Sequence, residues 1–208
     1  AYELQRVVGS GLGILRESAT TVRSRPLSSL AEAARKNRQT TPLIITKTNA
    51  RATVHRAGYL DYIGVLLFDK RGRTVGERRF LGLFTSYAYN LAAADTPLVR
   101  VRMRKVLENS RLVPGSHAWK AMVHILETLP RDELLQASSS ELQETALGVL
   151  NLQERQRVRL FIRRERYGRF YSCLVYLPRE QFNTENREKI PSIPERARQG
   201  RRLGSAVK

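Results

Sequence analysis

The stretch 43–86, LIITKTNARATVHRAGYLDYIGVLLFDKRGRTVGERRFLGLFTS, limits the fold more than any other part of the 208-residue chain. It is the densest run of strand-forming residues present. Leu43, Ile44 and Ile45 open it, and Tyr62, Ile63, Val65, Leu66, Leu67 and Phe68 form a second apolar run. Asp69-Lys70-Arg71-Gly72 follows as turn material, and another strand-like run covers 75–84. Two strands joined by a short Gly-containing connection predict an antiparallel hairpin, with Gly72 taking the positive φ that such a turn requires. The expectation is a sheet centred on this hairpin, with the rest of the chain packed on it or leading away from it.

Charge is the next constraint. Lys and Arg number 37 against 19 Asp and Glu, a formal net charge of +18. Residues 154–208 carry 15 basic and 6 acidic groups, so half of that excess lies in about the last quarter of the chain. Such a field draws anions in general, whether nucleic acid, an acidic membrane or an acidic partner domain. Apolar residues make up 41% of the chain, enough for one large or two small cores. No apolar run reaches the roughly 18 residues of a membrane span, and the start reads as neither a signal peptide nor a transit segment. The lone Cys173 has no disulfide partner within the chain, which fits a reducing cytoplasm.

The remaining elements are read from periodicity and caps. A short strand is expected over 2–8, a Gly-rich loop over 9–13, and a helix over 27–38 capped by Ser28 or Ser29. Pro97 opens a helix to about 110, with Val99, Met103, Val106 and Leu107 on one face and Arg100, Arg104 and Lys105 outside. Ser116 is placed to cap a helix to about 128 with an Ala118, Met122, Ile125, Leu126 and Leu129 stripe. Pro130 starts a short helix with Asp132 and Glu133 in its first turn, and Ser138 with Glu141 has capping-box spacing ahead of a Leu142, Ala146, Val149 and Leu150 stripe. After 153 the period changes to two. Val158, Leu160 and Ile162 alternate with Arg157, Arg159 and Arg163, predicting a half-buried strand, then a turn at 165–168 and a returning strand at 170–177. Asn183 or Thr184 caps a following helix, which Pro191 and Pro194 interrupt at a cost of about 3 kcal/mol or more for each interior proline.

Few residues suggest chemistry. Gly9-Ser10-Gly11-Leu12-Gly13 lacks the third glycine and the strand–turn–helix setting of a dinucleotide fingerprint, so it reads as a loop. His55, His117 and His124 form no metal pattern. The last two are seven residues apart, about 10 Å along a helix axis, whereas chelating pairs use spacings of three to five. Cys173 has no neighbouring base or second thiol and reads as an inert strand residue. The hairpin RVRLFIRRERYGRFYSCLVY interleaves arginines with Phe161, Tyr167, Phe170, Tyr171 and Tyr176, so a basic nucleic-acid-binding module is the alternative functional reading. Alternation spreads those aromatics over both faces, which weakens it. The arginines serve equally to meet acidic surfaces of neighbouring domains.

One resemblance spans most of the chain. TKTNARATVHRAGYLDYIGV and GERRFLGLFTSYAYN, then PGSHAWKAMVHILETLPRDELLQ and ETALGVLNLQERQRVRLFIRRERYGRFYSCLVYLPREQFNTENREKI, resemble the N-terminal regulatory region of the large bacterial NAD-specific glutamate dehydrogenases. The similarity covers roughly 9–190 in order, and the tail from Pro191 departs from it. It implies an α+β fragment of ACT-like and PAS-like modules preceding a separate dehydrogenase domain. The expected division is an ACT/PAS-like antiparallel sheet module at 1–112, a helical unit at 113–153, and the start of a further ACT-like (ferredoxin-like) module at 154–208. The implied parent converts L-glutamate, NAD and water to 2-oxoglutarate, ammonia and NADH in glutamate catabolism. This segment would carry no catalytic, cofactor-binding or metal-binding residue.

Its implied partners are the catalytic and helical domains of the same chain, further copies in a homo-oligomer, and an amino-acid effector. Such an effector needs a cation for its carboxylate and an acid for its ammonium. Lys47, Arg51 and Arg56 are the cationic candidates and Asp61 the acid. Arg78 and Arg79 fall on opposite faces of the neighbouring strand, so only one of them could join the group. The competing reading, structural salt bridges and interdomain contacts, is preferred for all six residues.

Overall fold

The computed structural model of the chain describes residues 3–4, 7, 9–16, 25–26, 42–52, 54, 57–152, 157–187 and 189–190. The expected helix over 27–38, His55, Arg56 and the tail beyond 190 lie outside the described residues. The architecture is α+β with antiparallel pairing. Two short strands, β1 (Glu3–Leu4) and β2 (Arg25–Pro26), pair antiparallel, and between them residues 9–12 are turn and loop, followed by a 3-10 turn at Gly13–Leu15. Gly9 and Gly13 both have positive φ.

Three longer strands, β3 (Leu43–Arg51), β4 (Tyr59–Phe68) and β5 (Thr74–Gly82), hydrogen-bond in that order, so β4 is central. The β4–β5 turn follows from its residues. Asp69 accepts the Arg71 and Arg73 amides through its carboxylate and receives the Arg73 Nε at 2.7 Å, while Gly72 sits at φ 73°. Two compact units divide the chain. One comprises Ile63–Phe80 with the described residues up to Ile44, and the other Ile45–Tyr62 with the described residues from Leu81 on.

Between residues 81 and 152 the second unit has five α-helices. They are α1 (Ser86–Asn90), α2 (Pro97–Asn109), α3 (His117–Thr128), α4 (Arg131–Gln136) and α5 (Ser139–Leu150). Local chemistry sets their starts. Pro97 stands at the first position of α2, Ser116 Oγ accepts the Trp119 amide, and Ser138 with Glu141 forms the complete capping box. Each buried side of α2, α3 and α5 is the stripe that the spacing predicts: Val99, Met103 and Val106; Met122, Ile125 and Leu126; Leu142, Ala146 and Val149. These stripes meet in one hydrophobic cluster, together with Leu129 and Leu134. The main core of this unit therefore lies among its helices rather than on the hairpin at 43–86, because the helices supply most of the fully buried large side chains.

Residues 184–187 and 189–190 are helical, with Asn183 Oδ1 accepting the Asn186 amide as expected of a cap, and ahead of them β6 (Arg159–Arg164) and β7 (Tyr171–Tyr176) form a second antiparallel hairpin. Its orientation corrects the sequence reading. Phe161, Leu174 and Tyr176 pack against the helical cluster, whereas Val158, Leu160 and Ile162 are 59%, 45% and 47% exposed. The register pairs Phe161 with Leu174 and Arg163 with Ser172, putting these four residues on the helix-facing side. Phe161 approaches α5 at Gly148, where a Cβ would lie 2.5 Å from the ring. No larger residue would let β6 come so close, so the glycine selects the face.

Gly148→Ala separates this steric role from helix propensity. Alanine in an open helical site would gain up to about 1 kcal/mol over glycine. Here the substitution must push the Phe161 ring, which stands edge-on to Tyr176 with centroids 5.7 Å apart, and overpacking costs about 1–3 kcal/mol. Urea denaturation should show a lower midpoint for the variant, and a higher midpoint would contradict the close approach.

Candidate functional site

The charged candidates on β3 and β4 fall into an internally paired cluster. Alternation along β3 buries Ile44 and Thr46 and leaves Lys47 half-buried on the opposite side. Its ammonium donates to Asp61 Oδ1 at 2.6 Å and lies 3.4 Å from Asp132 Oδ1 on α4. Tyr89 on α1 completes the group, with its hydroxyl 3.4 Å from the Lys47 nitrogen and donating to Asp132 at 3.2 Å. The other Asp61 oxygen accepts the Phe84 amide at 2.8 Å, tying β4 to the chain beyond β5. Burial draws the Lys47 ammonium down, but Asp132 and Asp61 outweigh it and hold the group above its ordinary value. Burial pushes the Tyr89 hydroxyl up, so it remains a neutral donor. One cation thus bridges two carboxylates on different elements.

The other candidates stand apart from this cluster. Arg51 is exposed and lies over the Tyr59 ring at 5.0 Å, a cation–π contact across β3 and β4. Arg56 lies outside the described residues. Arg78 and Arg79 are exposed in the first unit, where Arg79 stands 3.4 Å from Glu77. Lys47 and Asp61 are therefore brought together, and the arrangement satisfies each with the other.

Two further clusters were not singled out from the sequence. Arg163 grips Glu133 through two parallel hydrogen bonds, Nε to Oε2 at 2.9 Å and Nη2 to Oε1 at 2.8 Å, and Ser172 Oγ donates to the same carboxylate. Both charged side chains are only 11% exposed. Burial pulls the Arg163 guanidinium down, but Glu133 more than offsets this and the net shift is upward. The arginine thus meets an acid of the helical unit, the neighbouring domain in the expected division, and pins β6 to α4, where Glu133 is buried and needs a partner.

Glu165, 3% exposed, forms the third cluster. It receives Thr46 Oγ1 at 2.7 Å, Arg169 Nη2 at 3.0 Å and the Tyr167 amide at 2.8 Å. Burial opposes its charge, yet Arg169 and Thr46 hold its carboxyl below the usual value. A sequence signal for it existed: Glu165 is the lone acid in the arginine-rich run at 157–169. An isolated acid in such a run, at the head of a Gly-containing turn, calls for several donors.

No group of three or more His, Cys, Asp or Glu residues among the described residues is arranged to hold a metal. No helix among them is long and apolar enough to cross a membrane. The aromatics of the β6–β7 hairpin do not form a base-stacking platform. Phe161 and Tyr176 turn toward the helices, while Tyr171 lies 40% exposed on the other side.

Comparison with known proteins follows the same elements. The profile described as "Glutamate dehydrogenase, helical motif 1" matches residues 96–155, which contain α2 to α5. The profile "Glutamate dehydrogenase, ACT2 domain" matches 159–207, beginning at β6. The chain is similar to the NAD-specific glutamate dehydrogenase of Halomonas elongata, 44% identical over 147 residues, which is 71% of this chain and 9% of that protein. The enzyme of the same name from Pseudomonas aeruginosa is 40% identical over 151 residues, 73% of this chain and 9% of that protein. The one from Mycobacterium tuberculosis is 35% identical over 130 residues, 62% of this chain and 8% of that protein. The chain thus spans under a tenth of the length of these relatives.

Glu165 gives a pH dependence with a defined sign. Its folded value lies below its ordinary 4.5, so its contribution to stability is present above that pH and is lost as pH falls through the folded value. The thermal midpoint of Glu165→Gln should lie furthest below the parent near neutral pH, and the gap should narrow in acid. A gap independent of pH would refute the ionised state of this carboxylate.

Proposed function

The chain belongs to the large NAD-specific glutamate dehydrogenase family, and on that premise we propose that it is a non-catalytic regulatory and assembly segment of such an enzyme. The parent reaction is the oxidative deamination of L-glutamate by NAD and water to 2-oxoglutarate, ammonia and NADH. The segment itself uses no cofactor. The observation that carries the proposal is the succession of the helical motif and the ACT2 module in one chain, with an ion pair joining them. A helical unit fixed to a sheet module by Glu133 and Arg163 transmits a displacement of either to the other. In that role its partners are the catalytic and helical domains of the same polypeptide and the other copies of the oligomer, in the cytoplasm.

An amino-acid effector would act on the enzyme through this segment. Lys47, Asp61 and Asp132 serve in our reading as a strut, because each charge already has its counter-charge within about hydrogen-bonding reach. Arg51 stands apart from this strut, with its guanidinium over the Tyr59 ring. The nucleic-acid alternative gains no support from a hairpin whose Phe161 and Tyr176 rings face inward.

The purified chain mixed with L-glutamate and NAD should produce no NADH. In the full-length enzyme, Arg163→Met should leave turnover in place while changing the response to effectors or the oligomeric state. Turnover by the chain alone would overturn the proposal, as would an Arg163→Met enzyme with normal effector response and assembly.

A further inference from the structure

An open cavity of about 650 Å³ lies between α2 and α3, in the range of small-ligand sites. Leu107, Leu112, Trp119 and Val123 give it an apolar floor. Arg100, Arg104 and Glu108 line it from α2 at spacings of four, so they form one ridge on that helix. Their charges are unevenly committed. Arg104 and Glu108 stand 4.0 Å apart with side chains 69% and 64% exposed, a loose surface pair. Arg100 is exposed and has no carboxylate partner among the described residues. Glu127, the other acid in the wall, already accepts the Ala93 and Ala94 amides. The rim therefore presents one uncommitted guanidinium and a second that is weakly held.

We propose that this groove binds a small anionic ligand with a carboxylate head and an apolar body. The carboxylate lies against Arg100 and Arg104, whose planar guanidinium groups match its two oxygens. The apolar body covers Trp119 and Leu107 and removes their surface from water. A zwitterion fits less well, because its ammonium would meet the unpaired Arg100 and compete with Arg104 for Glu108. A sugar phosphate would satisfy the arginines but would leave its hydroxyls against an apolar floor. The site is independent of the role proposed above for the whole segment, since binding is read on this chain alone.

Trp119 is the single tryptophan of the chain, so its emission reports on the groove directly. The intact chain would be titrated with 4-methyl-2-oxopentanoate, 4-methylpentanoate, L-leucine and 3-methylbutan-1-ol, with calorimetry as a second readout. Saturable binding of either anion is expected with a dissociation constant on the order of 1 mM. The stronger of the two identifies the source as a 2-oxo acid or a simple fatty acid. Arg100→Gln combined with Arg104→Gln should weaken that binding about tenfold or more without moving the thermal midpoint, since both side chains are exposed. Failure of both anions to bind, equal binding of the uncharged alcohol, or tighter binding of leucine would each overturn the proposal.

Discussion

Much of the second unit follows from one buried ion pair. Glu133 on α4 and Arg163 on β6 make two parallel hydrogen bonds at 2.8 and 2.9 Å. Each would be expensive to bury alone, at several kcal/mol per ion after relaxation. Together they define which side of the β6–β7 hairpin turns inward. With Arg163 fixed, alternation sends Phe161 into the helical cluster and leaves Leu160 and Ile162 outside. A one-residue slip would expose the pair and bring a Val–Leu–Ile row against Gly148, where the fit is made for a flat ring.

The other two clusters extend the same logic to the central strands. Thr46 points to Glu165 at the β6–β7 turn, and its neighbour Lys47 points the opposite way to Asp61 and Asp132. Adjacent residues on one strand therefore anchor it on both faces. Each anchor is specific, since a buried charge tolerates only a partner in the right place. This arrangement suits a segment whose proposed task is to carry a displacement between modules, because the joints resist slippage more than purely apolar contacts would.

The sequence showed local structure far better than tertiary pairing, and the residues explain why. Ser116, the Ser138–Glu141 box, Pro97 and the Asp69–Gly72 turn act within four residues of themselves, so their geometry is written in spacing. The helix stripes were likewise legible, because periodicity alone places Val99, Met122 and Leu142 on inner faces. The inward face of β6 was not. Both of its faces carry apolar residues, and hydrophobicity favours Val158, Leu160 and Ile162. The deciding contacts, Glu133 and Gly148, lie in helices 10 or more residues away with no periodic link to the strand. α1 was missed for a different reason: Ser86–Asn90 is a single short helix with no apolar repeat, begun by the Thr85 cap. Of the six candidate site residues, the sequence brought Lys47 and Asp61 into view as opposite charges. The other two members of their cluster, Asp132 and Tyr89, were not in view, because no spacing connects them to Lys47 or Asp61.

A double-mutant cycle on Glu133 and Arg163 tests the account most directly. Arg163→Met and Glu133→Leu should each destabilise the chain by about 3 kcal/mol or more, because each leaves a buried charge without its partner. The double variant should cost far less than the sum, with a coupling energy above about 1.5 kcal/mol. A coupling below about 0.5 kcal/mol would mean that the two residues stabilise the fold independently, and that something other than this pair fixes the hairpin on the helices.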